Sequence, residues 1–246
     1  MTKLQGTSIL LHGPPKIGKT TLASKFPGPI LLIATEPGYR FLAEDIRKNV
    51  VKLQDKDDWS KFLAVPKRLE EAKTKPKTVV VDTVGGLYNL GMEAICAASG
   101  WAHPSDGPHG KGWNAVRTEI AKAMSKLAWV CERYNITLIL IDHTKIEEVE
   151  TATNKYQKLT CSMPGQARQI FPPAVDHIWF LGYHGNQGTD AMVNFDENRA
   201  LWIRGTEVIE AGCRDPNVKT SIIHKLRKDD PYTQIVKALE NRDVDE

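Results

Sequence analysis

"HGPPKIGKTT", residues 12–21, fits the pattern G-x-x-x-x-G-K-[ST] from Gly13 to Thr20. The apolar run "SILL" (8–11) comes before it, and "TLASKF" (21–26) follows with helix-forming residues. A glycine loop between a strand and a helix holds phosphate oxygens with its backbone N–H groups. Pro14 and Pro15 have no N–H to offer. The donors are therefore expected in the second half of the loop, from Ile17 through Gly18, Lys19 and Thr20 to Thr21. Gly13, Pro14, Pro15 and Lys16 carry the chain out of the strand, and the prolines stiffen that exit. Lys19 should reach the outer phosphates and face solvent when no ligand is bound. The Thr20 hydroxyl should ligate a metal ion.

Other strands can be read outward from this loop. "PILLIATEPG" (29–38), "NVVKL" (49–53), "KTVVVDTV" (77–84) and "ITLILID" (136–142) are short apolar runs bounded by turn residues. Their hydrophobicity is continuous rather than alternating, as in parallel strands covered on both faces. Between them the sequence predicts helices over 40–48, over 57–73 with a kink or a split at Pro66, over 85–99 and over 113–134. In the last of these, Val116, Ile120, Met124, Leu127, Cys131 and Tyr134 form one apolar stripe. Residues 100–112, rich in Gly, Pro and His, are expected to be a loop with little structure. Residues 143–165 should be a polar hairpin or a mobile loop. "DHIWFLGYH" (176–184) and "RALWIRG" (199–205) read as strands joined by turn signals in "GNQG" (185–188), and a last helix is expected near 232–241. Alternation of this kind implies an α/β fold: a largely parallel twisted sheet with helices on both faces and antiparallel strands toward the C-terminus. Such sheets bind ligands beyond the carboxyl ends of their strands.

The 246 residues are 41% hydrophobic and 26% charged, which suits one domain over 1–246, with a core at about 7–216 and a helical tail at about 217–246. "LILI" (138–141) is too short to cross a bilayer, and the N-terminus has no cleavage pattern. Cys96, Cys131, Cys161 and Cys213 form no C-x-x-C, so reduced thiols in a cytoplasmic protein are expected. The net charge of +3 permits nucleic-acid binding without requiring it.

Two acidic residues extend the phosphate site. Asp82 ends the "VVVD" strand, where it can meet the shell of a Mg²⁺ ion. Glu36 ends the strand after the loop's helix, where a carboxylate can activate water beside a γ-phosphate; an ordinary solvated strand-end Glu is the alternative. The cofactors implied are ATP and Mg²⁺.

The ordered set "GPPKIGKTT", "IATEP", "VVVDT" and "LILIDHT" resembles the core of RecA-like P-loop ATPases. With "HGPPKIGKTTLASKFP" and "IEAGCRDP" (209–216), it is most similar to the short phage-encoded ATPases of the Sak type, core-only relatives of RecA and Rad recombinases. The resemblance implies an ATPase stimulated by DNA that binds single-stranded DNA and promotes annealing or recombination in the host cytoplasm, with a single-strand-binding protein as a possible associate. It casts Glu36 as the catalytic base and His143 as the γ-phosphate sensor, a position usually held by Gln. It also implies a ring or filament of identical chains with ATP between subunits, Arg214 or Lys219 reaching in from the neighbour. The N-terminal oligomerisation domain of larger recombinases is expected to be absent. DNA is expected on two segments, one with Lys111, Trp113 and Arg117, the other with Lys155, Tyr156 and Lys158. Glu147, Glu148 and Glu150 weaken the second, and Trp113 could instead pack inward. His103 and His109 have no Cys or carboxylate set to complete a metal site. A hexameric DNA motor and a nucleotide-gated protein-binding module are the alternatives; no arginine-rich lid favours a small-molecule kinase.

Overall fold

The computed structural model describes residues 4–151, 154–183 and 199–242. The "GNQG" turn lies outside them. The chain runs β1 (Ser8–Gly13), α1 (Lys19–Ala23), β2 (Ile30–Ala34), α2 (Glu44–Arg47), β3 (Val50–Lys52), α3 (Trp59–Glu71), β4 (Thr78–Asp82) and α4 (Val84–Ala98). It continues through α5 (Lys111–Arg133), β5 (Thr137–Glu150), β6 (Lys155–Cys161), α6 (Gly165–Arg168), β7 (His177–Tyr183), β8 (Arg199–Trp202), β9 (Gly212–Cys213), β10 (Ile222–Ile223) and α7 (Pro231–Leu239).

The main sheet has the order β10-β8-β7-β1-β5-β4-β2-β3. Pairs from β7 to β3 are parallel, while β8 and β9 run antiparallel to β7 and β10 antiparallel to β8. This is the expected mixture. Strand pleating sends alternate residues to two cores. Leu10, Val79, Val81, Leu138 and Leu140 pack on the face covered by α3, α4 and α5. Ile9, Leu11, Val80, Ile139 and Ile141 pack on the other, with Leu22 of α1 and Ile235 and Leu239 of α7. Both faces are covered, which accounts for the continuous apolar runs.

Three local expectations differ from the structure. First, Pro66 does not split α3, which continues through it. Phe62, Val65, Pro66 and Leu69 are all buried on its inner side, so packing offsets the hydrogen bond that proline removes. Second, residues 100–112 are not structureless: they form 3₁₀ turns at Pro104–Asp106 and Pro108–Gly110, and α5 begins at Lys111. The first turn has a reciprocal cap, with His103 accepting from the Ser105 N–H and Asp106 accepting from the His103 N–H. Third, β5 does not stop at 142 but runs on to Glu150; its pairing with β6 is the hairpin, one of the two forms expected of 143–165, and is made by 144–150 and 155–161. Glu210 N donates to Leu159 O at 2.9 Å and Leu159 N to Val208 O at 2.8 Å, adding a third short segment to that ribbon.

The described cysteines are free thiols. No helix among the described residues is long and apolar enough to cross a membrane.

Candidate nucleotide site

Strand register determines which side chains meet. Gly13 at the end of β1 lies beside His143 of β5, and Ala34 at the end of β2 lies beside Asp82 of β4. The P-loop, Glu36, Asp82 and His143 therefore gather at one edge of the sheet, the carboxyl ends of the parallel strands. They line a groove of about 520 Å³ together with Lys16, Lys19 and Thr20.

Within the loop, Gly18 caps α1 with φ of 102°, a conformation that glycine adopts without strain. Gly13 is required for a different reason. A Cβ there would stand 2.3 Å from the Leu181 carbonyl oxygen of β7, which is backbone and cannot swing aside. Gly13→Ala is therefore expected to force the loop off β7 and destabilise the protein by about 1–3 kcal/mol. A denaturant melt against wild type checks this, and an unchanged midpoint would contradict it.

Lys19 is not solvent-facing as expected but only 6% exposed. Its ammonium donates to the carbonyls of Gly13 at 2.8 Å and Pro14 at 2.9 Å, so Pro14, lacking an N–H, serves the loop as an acceptor. Burial pushes the Lys19 pKa down, while Asp82, Glu36 and Asp142 push it up. The Thr20 hydroxyl donates to Asp82 at 2.7 Å, and burial holds the Asp82 carboxyl above its usual range. Two oxygen donors side by side in the groove suit a hard cation such as Mg²⁺.

Glu36 is held by its neighbours in sequence. Thr35 N donates to the Asp82 carbonyl at 2.8 Å, and the Thr35 hydroxyl accepts from Thr83 N at 2.9 Å, tying the end of β2 to the end of β4. The Thr83 hydroxyl accepts from Gly86 N, capping α4, and donates to Glu36 Oε1 at 3.2 Å. His143 Nε2 is 3.1 Å from the same oxygen, and its Nδ1 is 3.4 Å from the Lys19 ammonium. A carboxylate can only accept and an ammonium can only donate, so the partners suit the tautomer with its proton on Nε2. Lys19, His143 and Glu36 thus form one chain from the phosphate loop to the candidate base. The His143 and Glu36 side chains are 34% and 42% exposed, open enough for water to reach them.

Beneath the loop lies a second polar group. His12 bonds Thr144 through Nδ1 at 2.8 Å and the Glu210 carbonyl through Nε2 at 2.6 Å, while Glu210 pairs with Arg168 at 2.7 Å. Burial pushes the His12 pKa down to about 4. His12, Cys161 and Glu210 lie close enough to hold a metal ion. With both ring nitrogens and the carboxylate already engaged, they serve as a brace between β1 and the root of the hairpin.

The other expected residues lie apart from this groove. Arg214 donates to the Pro173 carbonyl and stands 3.7 Å from Asp176, whose N–H bonds the carbonyl of Ser8 at the start of β1. Five residues of strand, roughly 16 Å, separate that point from Gly13. Arg214 therefore does not join the site of its own chain, and neither does Lys219, an exposed residue whose N–H bonds Asn241. Trp113 is half-buried, edge-on to His103 at 5.2 Å, and Arg117 donates to Gln169 at 2.6 Å. Lys111 is exposed. Lys155 pairs with Glu148 at 3.0 Å, Tyr156 lies opposite Val149, and Lys158 lies opposite Glu147.

Thr83 and Arg199 were not evident from sequence. Thr83 follows the motif aspartate directly, and a hydroxyl just before a helix was the available signal. Arg199 Nη1 donates to the Ile17 carbonyl at 3.3 Å, a contact across 182 positions for which the sequence holds no local signal.

A phosphate loop, a strand-end aspartate on its threonine and a glutamate just past the end of β2 define a P-loop NTPase of RecA-like architecture. The chain belongs to the AAA domain family AAA_24, whose family model matches residues 5–214. A solved structure described as that of the RadB recombinase is similar over 92% of this chain and 90% of that one, with a TM-score of 0.50 and 14% identity. At that identity the likeness is one of fold. No curated protein matches the sequence.

Proposed function

We propose that this chain is an ATP-hydrolysing, RecA-like single domain of the phage-encoded Sak type that binds single-stranded DNA and promotes annealing or recombination. The observation that carries the reading is the convergence of Lys19, Thr20, Asp82, Glu36 and His143 on one groove. Lys19 and the loop N–H groups hold the phosphates, Thr20 and Asp82 hold Mg²⁺, and Glu36 takes a proton from the attacking water. His143 responds to the γ-phosphate. ATP draws the Lys19 ammonium toward phosphate and leaves the imidazole bonded to Glu36 alone. His143 lies on β5, which continues into the hairpin, so a change at the nucleotide has a direct route to the 144–161 ribbon. Identical chains assemble in a ring or filament, and Arg214 or Lys219 completes a neighbour's site.

Fluorescence anisotropy of a labelled oligonucleotide, with and without a non-hydrolysable ATP analogue, tests the DNA reading. Binding is expected to be tighter with nucleotide and to weaken as salt rises. Lys111→Ala should lower the salt slope by about one unit or less. No binding at low salt would overturn this reading in favour of a nucleotide-gated protein-binding module. The hairpin supports that second reading specifically: Lys145 and Lys155 lie beside Glu147 and Glu148, while Ile146 is 64% exposed.

A further inference from the structure

We infer that Arg199 is a second phosphate-binding cation of the nucleotide site, acting within its own chain on the two phosphates nearest the nucleoside. The inference rests on the P-loop ATPase reading above and adds a ligand contact that the motif does not contain. Arg199 opens β8 opposite Tyr183, the last residue of β7, and β7 lies next to β1. The side chain therefore starts at the P-loop end of the sheet. Its Nη1 reaches the Ile17 carbonyl and stands 2.8 Å from the place a Cβ on Gly18 would occupy. The bare α-carbon of Gly18 leaves that space, and the guanidinium fills it.

The guanidinium is poorly matched where it rests. Among the described residues it uses one of its five N–H donors, at 3.3 Å, on a neutral carbonyl. Its Nε is buried without a partner, and no carboxylate pairs with it among the described residues. The residue is partly exposed, but a buried N–H of a cation left without an acceptor is unfavourable unless an anion completes the arrangement. A phosphate oxygen on the adjacent loop would do so, and a guanidinium fork suits two such oxygens.

Sheet order tells which phosphates these are. Lys19, His143, Glu36 and Asp82 belong to the side of the loop facing β5, β4 and β2. That is the γ-phosphate end, because the water-activating carboxylate and the metal ligand are there. Arg199 approaches from β8, across β7 on the opposite side of β1. It is left with the α- and β-phosphates, which ADP and ATP share.

Calorimetry with Mg-ADP and a non-hydrolysable Mg-ATP analogue tests this on wild type, Arg199→Gln and Arg199→Lys, alongside melts of the nucleotide-free proteins. Glutamine keeps an N–H donor for the Ile17 carbonyl and removes the charge; lysine keeps the charge and removes the fork. Arg199→Gln should weaken both ligands alike, by roughly 10- to 100-fold, with the nucleotide-free melting temperature unchanged. Arg199→Lys should recover part of that loss, because it restores the charge without the fork. Wild-type ADP affinity in Arg199→Gln would overturn the assignment, as would a loss confined to the ATP analogue. A loss that follows a lower melting temperature and is not recovered by lysine would make Arg199 a prop for the loop instead. Should Arg199→Gln not fold, Arg199→Lys decides: a folded chain at least threefold weaker for ADP supports the inference, and one equal to wild type overturns it. A wild-type chain that binds no nucleotide would bring down the ATPase reading and this inference together. A wild type that binds beside an unaffected Arg199→Gln brings down this inference alone.

Discussion

Glu36→Gln is expected to bind ATP about as tightly as wild type and to turn it over at least about 10²-fold more slowly. The substitution preserves shape. A glutamine side-chain carbonyl can still accept from His143 Nε2 and the Thr83 hydroxyl, the two donors that hold Glu36 Oε1 at 3.1 and 3.2 Å. It cannot take a proton from water. None of the groups assigned to phosphate or Mg²⁺ is touched, since Lys19 bonds Gly13 and Pro14, and Thr20 bonds Asp82. Binding and chemistry should therefore separate: calorimetry with a non-hydrolysable analogue stays level while steady-state phosphate release collapses. If the variant still hydrolysed ATP at near the wild-type rate, Glu36 would be no more than a strand-end carboxylate, and the base would have to be sought elsewhere in the groove.

The parts of this site legible in sequence are those whose signal is local. Gly13 to Thr20 declare themselves as a spaced motif, Asp82 ends an apolar run where β4 stops, and Glu36 follows another, two residues past the end of β2. Once the runs are taken as parallel neighbours, register does the rest: Ala34 beside Asp82 and Gly13 beside His143 follow from strand order. What sequence did not reveal depends on contacts between distant segments. Arg199 looks like an ordinary strand-opening residue until β8 is laid beside β7. A split at Pro66 follows from backbone chemistry alone, and burial of Phe62, Val65 and Leu69 around it keeps α3 in one piece. The 100–112 segment was read from its glycines and prolines, but the reciprocal cap between His103 and Asp106 depends on spacing that composition does not report. Lys19 is the instructive case: its place in the motif is obvious, but its burial follows from the fold.

That burial shapes the second large effect. Lys19→Ala is expected to cost about 2–5 kcal/mol of nucleotide binding, a loss of roughly 30-fold to several thousand-fold, because it leaves phosphate charge in the groove without its ammonium partner. The consequence for the nucleotide-free protein is smaller and has two parts. The carbonyls of Gly13 and Pro14 lose a donor, at about 1–3 kcal/mol if water cannot replace it. Against this, the protein no longer has to hold a desolvated ammonium, the cost that pushes the Lys19 pKa down. The sign of that second part is open to measurement. A lysine whose folded pKa lies below its unfolded value of about 10.4 binds fewer protons folded than unfolded in the interval between them, so wild-type stability gains from rising pH across that interval. Lys19→Ala lacks that gain. Its stability deficit relative to wild type should therefore widen as pH climbs from Lys19's depressed folded pKa toward about 10.4, and should be smallest below that interval. Urea melts of both nucleotide-free proteins across the alkaline range read this directly. A deficit that narrowed with rising pH would mean that the ammonium is stabilised in place, and that the folded site holds Lys19 charged by attraction to Asp82 and Glu36 more strongly than burial opposes it.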